Sequence, residues 1–257
     1  MFLTLSLTIV PSILIAVFVI FSDKFREPIG PIIIAFLLGF LIIIPAIYLN
    51  TFFAPAKGSS NNLAFIAGFT EEPLKFIALY FFLRNRVEYD EPMDAIVYAT
   101  LLSLGFATLE NFEYVYSSGN ELVSYEIAVI RAFSAIPLHA CCGVIMGYYF
   151  GLYSFQGSTS FLVKSISLPT VIHAFYNYLC DFNGSVLFIY VPVLIFYATY
   201  LIDKMAGLQS LTGKIKKNNK VQHLSKHDHK FGKICKRCNE SLPKTIIICP
   251  KCGNRSL

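Results

Sequence analysis

The sequence predicts an all-α polytopic membrane protein, with about seven transmembrane helices and a small zinc-ribbon module at the C-terminus. Three observations carry this reading. Of 257 residues, 55% are hydrophobic and 14% charged, against roughly 25% charged in a soluble globular domain. The apolar residues gather into runs of about 20, the length a helix needs to cross the hydrocarbon core. Four of the seven cysteines form two CxxC pairs near the end of the chain, and two such knuckles can close tetrahedrally on zinc.

The candidate spans are residues 2–21, 31–49, 63–83, 93–117, 127–153, 162–181 and 184–202. The first lacks a basic leading segment and is longer than the apolar part of a signal peptide, so it reads as a retained helix. The last two are separated only by the short turn Asp181–Gly184. Lysine and arginine near the helix ends set orientation. Lys24 and Arg26 follow the first span and Arg84 and Arg86 the third, none follows the fourth, and the tail is rich in lysine. With seven spans these agree on an N-terminus outside and a tail in the cytoplasm of a multi-pass cell-membrane protein. Lys57 is the one charge that dissents.

Charge divides the chain into units. Residues 1–203 hold 8 basic and 14 acidic side chains, and residues 204–257 hold 13 and 2. The membrane domain therefore ends near Asp203. Residues 204–232 form a basic linker without apolar periodicity, expected to be flexible or to lie on anionic inner-leaflet lipid. Its run "KIKKNNK" lacks interleaved aromatics, which favours lipid over nucleic acid. Residues 233–257 hold Cys235, Cys238, Cys249 and Cys252, expected to bind one structural zinc with no position left open. What the ribbon itself binds is left open. Cys141, Cys142 and Cys180 sit in apolar runs and read as ordinary buried thiols.

The third span reads "GFTEEPLKFIAL", with Glu71 and Glu72 adjacent in an apolar run. An ionised carboxylate near the bilayer centre costs roughly 2.5–3.5 kcal/mol, so such residues mark a site or a partner. On a helix Lys75 reaches either glutamate. One ammonium neutralises one carboxylate, so the other must carry a proton or meet a further polar group. Candidates lie on three other spans: Glu110 and Asn111 in "GFATLENFEYVY", His139 in "RAFSAIPLHACCG", and His173 and Asn177 in "VIHAFYNYL". Counted from the outer helix ends at about 1.5 Å per residue, Glu71, Glu110 and His173 lie roughly 10–12 Å deep and His139 roughly 18 Å. Asp94, about 24 Å along the helix from Glu110, is expected to fall outside that slab. Gly105, Gly143 and Gly147 read as close-packing positions.

Carboxylates and imidazoles at such quarters hold a divalent metal or activate water. Asn177 is placed to donate to an oxyanion or to orient His173. The ordered motifs EExxK (Glu71, Glu72, Lys75), FxxxEN (Phe106, Glu110, Asn111), HxxxG (His139, Gly143) and HxxxN (His173, Asn177) resemble those of the PrsW intramembrane proteases, relatives of the CAAX prenyl protease/Abi group. The resemblance spans residues 68–180. It implies an intramembrane endopeptidase acting on a membrane-protein substrate with glutamate- or metal-activated water. Glu71 and Glu72 would be the catalytic pair, with Glu110, His139 and His173 completing the site. Glu71, Glu110, His139 and His173 would be the ligands of any catalytic metal. Two other readings fit the same residues. An ion-coupled transporter predicts flux that survives protease inhibition; a non-catalytic scaffold predicts that Glu71→Gln changes stability alone.

Overall fold

The computed structural model describes residues 1–53, 64–84, 86–222, 233–234 and 241–242, with side chains described through Gln209. Among them are α1 (Phe2–Ser22), α2 (Ile29–Phe53), α3 (Ile66–Leu83), α4 (Pro92–Tyr116), α5 (Glu121–Phe133), α6 (Ala135–Gln156), α7 (Thr159–Asn183) and α8 (Leu187–Gln222). A 3-10 turn over Gly184–Val186 joins α7 to α8. Two short strands, β1 (Lys233–Ile234) and β2 (Ser241–Leu242), pair antiparallel. Cys235, Cys238, Cys249 and Cys252, and with them the expected zinc site, lie outside the described residues.

Among the described residues, five stretches are long and apolar enough to cross a membrane: α1, α2, α4, α5 with α6, and α7 with α8 as far as Gln209. The expected third span falls out on charge, because Glu71, Glu72 and Lys75 lie within the 18 residues of α3. The sixth and seventh merge because only a three-residue turn divides them.

Helix α1 turns its small and hydroxylated residues inward and its bulky apolar ones outward. In α1 the buried positions are Thr4, Thr8, Ser12, Ala16 and Val19, about one turn apart, while Leu14, Phe18 and Phe21 face outward. Small and hydroxylated residues let helices approach, and bulky apolar ones meet lipid. Helix α4 is the centre: every residue from Met93 to Thr108 is buried, and α1, α2, α3, α5, α6 and α8 all pack on it. Glycines set the spacing, as the sequence suggested. A Cβ on Gly105 would lie 1.9 Å from the Phe36 carbonyl oxygen of α2, and one on Gly143 would lie 2.8 Å from Thr100 Cα of α4.

Two elements depart from the sequence reading. The run expected as one helix over 127–153 is two helices, α5 and α6, broken at Ser134 (φ −125°, ψ −68°). Pro137 has no N–H to offer the Phe133 carbonyl, and the Ser134 hydroxyl donates separately to the Ile130 carbonyl at 2.7 Å. His139 therefore sits four residues into α6, about 6 Å from its start rather than 18 Å along a longer helix. Secondly, α8 does not stop near Asp203 but runs to Gln222, so the first part of the expected flexible linker is helical. Met205 and Gln209 are buried there, and Gln209 Nε2 donates to Asp23 Oδ1 at 2.7 Å and Glu91 Oε1 at 2.6 Å. Cys180 is exposed at the bundle surface rather than buried, while Cys141 and Cys142 are buried as expected.

Candidate active site

Helices α3, α4, α6 and α7 each bring polar side chains to one place. Glu71, Glu72 and Lys75 of α3, His139 of α6 and His173 of α7 are all buried, Glu72 and Lys75 completely. The close approach of α3 to α7 that makes this possible occurs at Gly68, where a Cβ would lie 2.4 Å from Ala174 N.

The structure divides the two glutamates. Glu72 Oε1 takes the Lys75 ammonium at 2.8 Å and His173 Nδ1 at 2.9 Å. Lys75 Nζ lies 3.9 Å from Glu71 Oε2, so the lysine belongs to Glu72. Lys75 also sits 2.9 Å from His139 Nδ1 and 4.1 Å from the Phe106 ring centroid. An ammonium has no lone pair, so it donates to His139 Nδ1 and the neutral ring carries its proton on Nε2. That nitrogen is 3.0 Å from Glu110 Oε2 and donates to it. By the same logic His173 donates from Nδ1 to Glu72 and keeps a lone pair on Nε2. The two rings stand edge to face, with centroids 4.8 Å apart.

Glu71 is held differently. Its Oε1 accepts from Asn50 Nδ2 of α2 at 3.0 Å, and Asn50 in turn is bonded by the Thr70 hydroxyl. Its Oε2 is buried without a hydrogen-bond partner. The facing His173 Nε2 is 3.9 Å away, too far for a hydrogen bond.

Glu110 is anchored by a residue the sequence reading passed over. Arg131 of α5 donates from Nη2 to Glu110 Oε2 at 2.6 Å and from Nε to Asn111 Oδ1 at 2.7 Å. Asn111 donates to the Thr8 carbonyl of α1 at 3.1 Å, which ties three helices together. Both bonds to Glu110 are made at Oε2, and no described residue bonds Oε1. Asn177 does not orient His173, a task Glu72 performs; it donates to the Ala64 carbonyl at 3.1 Å and lines the cavity. Arg131 and Asn50 were legible only as isolated polar residues at the ends of apolar runs.

A cavity of about 200 Å3 reaches these groups, lined by Glu110, Arg131, His139, His173, Tyr176 and Asn177 among others. A second, of about 160 Å3, is lined by Glu71, Glu110, Asn50 and Tyr114. Glu110 borders both. Glu71, His139 and His173 each offer a ligand atom within 4.8 Å of the others. These residues fit a metal: the bare Glu71 Oε2 and the His173 lone pair are what a cation would satisfy. His139 joins them by giving up one of its hydrogen bonds. Glu110, expected as a fourth ligand, is outside this group and committed to Arg131.

A bare carboxylate oxygen and two imidazoles beside cavities among lipid-facing helices are groups that can hold a metal or activate water inside the bilayer. A family model described as PrsW family intramembrane metalloprotease matches residues 27–202. A protein named Protease PrsW from Geobacillus kaustophilus is 35% identical over 186 residues, covering 70% of this chain and 80% of the relative. Proteins of the same name from Bacillus subtilis and Clostridioides difficile are each 30% identical, covering 82% and 81% of this chain and 98% and 92% of the relatives. No solved structure matches. The chain belongs to the PrsW family, and it is a multi-pass intramembrane protease. That sets aside the transport and scaffold readings.

Proposed function

We propose that Glu71, His139 and His173 hold one divalent metal ion and that Glu110 is the carboxylate that moves the proton. The observation that carries this is the buried Glu71 Oε2, which has no partner and faces the open His173 Nε2. Two imidazoles and one carboxylate are a donor set that catalytic zinc takes while leaving a position open. A bound zinc would polarise the scissile carbonyl and make water a nucleophile near neutral pH.

The remaining residues divide the work. Glu72 accepts from His173 Nδ1 and fixes the ring so that Nε2 points at Glu71, the carboxylate–histidine arrangement that orients metal-binding imidazoles. Lys75 balances the charge of Glu72. Arg131 grips Glu110 through Oε2, leaving Oε1 to the cavity. As water adds to the carbonyl carbon, Glu110 Oε1 accepts a water proton. It returns that proton to the amide nitrogen as the C–N bond breaks, giving a carboxylic acid and an amine, and the acid's remaining proton passes to the amine to leave a carboxylate and an ammonium. Asn177 and Arg131 line the space where the substrate's polar backbone would lie.

The substrate is a membrane protein presenting a peptide bond to this cavity. The charge pattern supports seven spans with the N-terminus outside: α3 counts as a span because its charges are paired within the bundle, and α7 and α8 count separately because the turn between them reverses the chain. The basic residues after Asp203 favour anionic inner-leaflet lipid. A structural zinc on Cys235, Cys238, Cys249 and Cys252 is supported by the paired CxxC spacing and by the β1–β2 ladder that flanks Cys235 and Cys238.

The test is cleavage of single-span membrane substrates in proteoliposomes by the wild type, Glu71→Gln, Glu110→Gln and His173→Ala, each checked for folding. The proposal requires activity in the wild type and its loss in all three folded variants. Full activity in folded Glu110→Gln would remove Glu110 from the chemistry.

A further inference from the structure

We propose that the other end of the bundle carries a second cation site, formed by Asp23, Glu91 and Asp94 and suited to a hard divalent ion such as Ca2+ or Mg2+. Asp23 follows the last residue of α1, and Glu91 and Asp94 sit at the start of α4. Asp94 precedes Glu110 by 16 residues, or about 24 Å of helix, so this cluster is separate from the active site.

One carboxylate oxygen from each of the three lies within 4.8 Å of the other two. Asp23 is 3% exposed and Asp94 0%. Each uses one oxygen for protein contacts. Asp94 Oδ2 accepts from the backbone N–H groups of Asp90 and Glu91, both at 2.9 Å. Asp23 Oδ1 accepts from Phe25 N at 2.9 Å and Gln209 Nε2 at 2.7 Å. The second oxygens, Asp23 Oδ2 and Asp94 Oδ1, are buried without a hydrogen-bond donor. Two bare carboxylate oxygens in one enclosed cluster are costly unless a cation satisfies them.

The rival occupant is a proton. Glu27 takes the Tyr98 hydroxyl and lies within hydrogen-bonding reach of Asp94. Two carboxyl groups bond only when one is protonated. That arrangement would satisfy Asp94 and leave Asp23 Oδ2 bare, which is why a cation accounts for more of the cluster. Donors that are all oxygen select calcium or magnesium rather than zinc or copper.

The position gives the site a consequence. Gln209 of α8 already bridges Asp23 and Glu91. A cation here would fasten the junction of α1 and α2, the start of α4 and the helix that leads into the basic tail. Since α4 also carries Glu110, occupancy would couple the tail to the helix that holds the active-site carboxylate.

The experiment is calorimetric titration of the full-length chain in detergent, stripped with chelator, with Ca2+ and separately with Mg2+ at pH 8. Wild type, Asp23→Asn, Glu91→Gln, Asp94→Asn and His173→Ala are compared. One ion per chain is expected for wild type and His173→Ala. Affinity should fall by about tenfold or more in Asp23→Asn and Glu91→Gln, each of which removes one charged oxygen ligand. Asp94 also caps α4, so its variant is read only if it folds; the other two keep the test decisive. No saturable binding of either ion, the outcome a shared proton would give, overturns the proposal. So does binding unchanged in Asp23→Asn and Glu91→Gln, or binding lost in His173→Ala.

Discussion

Removing Lys75 tests how the site tolerates its charges. Lys75 and Glu72 are completely buried and their charged atoms are 2.8 Å apart. A buried pair broken from one side costs about 3–5 kcal/mol, because the survivor is left charged and unsolvated. Lys75→Met therefore strands Glu72, and Glu72→Gln strands Lys75, which keeps its bond to His139 Nδ1 but loses its charged partner. The double variant leaves neither charge. Its cost should fall short of the sum of the singles by about 3 kcal/mol, near the upper end of measured coupling energies. The assay is reversible unfolding in mixed micelles at graded denaturing detergent, read by helical circular dichroism. Singles that each cost under about 1 kcal/mol, or a double that equals their sum, would refute the argument. Either result would mean that Glu72 is neutral or that water reaches the pair.

Three further outcomes follow from other parts of the molecule. Glu110→Gln should keep the fold, since an amide can still accept from Arg131 and His139, yet slow proteolysis about 10²–10⁴-fold, measured as initial rates in proteoliposomes. Gly105→Ala should destabilise by about 1–3 kcal/mol, because its Cβ would meet Phe36 backbone at 1.9 Å, whereas Gly207→Ala, with nothing within 4 Å, should not; unfolding midpoints compare them. Cys249→Ser should lower metal content by one zinc per chain, read by elemental analysis, if the paired knuckles share one ion.

The site was largely legible because charge is expensive in lipid. Glu71, Glu72, Lys75, Glu110, His139 and His173 stood out against apolar runs, and the structure brings all six together. The division of labour between Glu71 and Glu72 was not legible. Adjacent side chains on a helix point about 100° apart, and which one meets Lys75, His173 or Asn50 depends on the packing of α2 and α7. Arg131 escaped because it opens an apolar run, where an arginine reads as an interfacial residue; its partner lies 21 positions away on another helix. The α5–α6 break was hidden for a different reason. Hydropathy is continuous across Ser134, and only Pro137 marks it, whereas prolines elsewhere, such as Pro73, are carried inside a helix. The extension of α8 depends on Gln209 finding Asp23 and Glu91, which no local pattern announces.

The most direct test is metal content and cleavage measured on the same preparations, with Cys235, Cys238, Cys249 and Cys252 all changed to serine so that the tail contributes nothing. The account predicts one transition-metal ion per chain and active proteolysis in this background. Adding Glu71→Gln or His173→Ala should remove both, and adding Glu110→Gln should remove cleavage alone. Metal that survives both Glu71→Gln and His173→Ala, or that leaves only with Glu110→Gln, would contradict it.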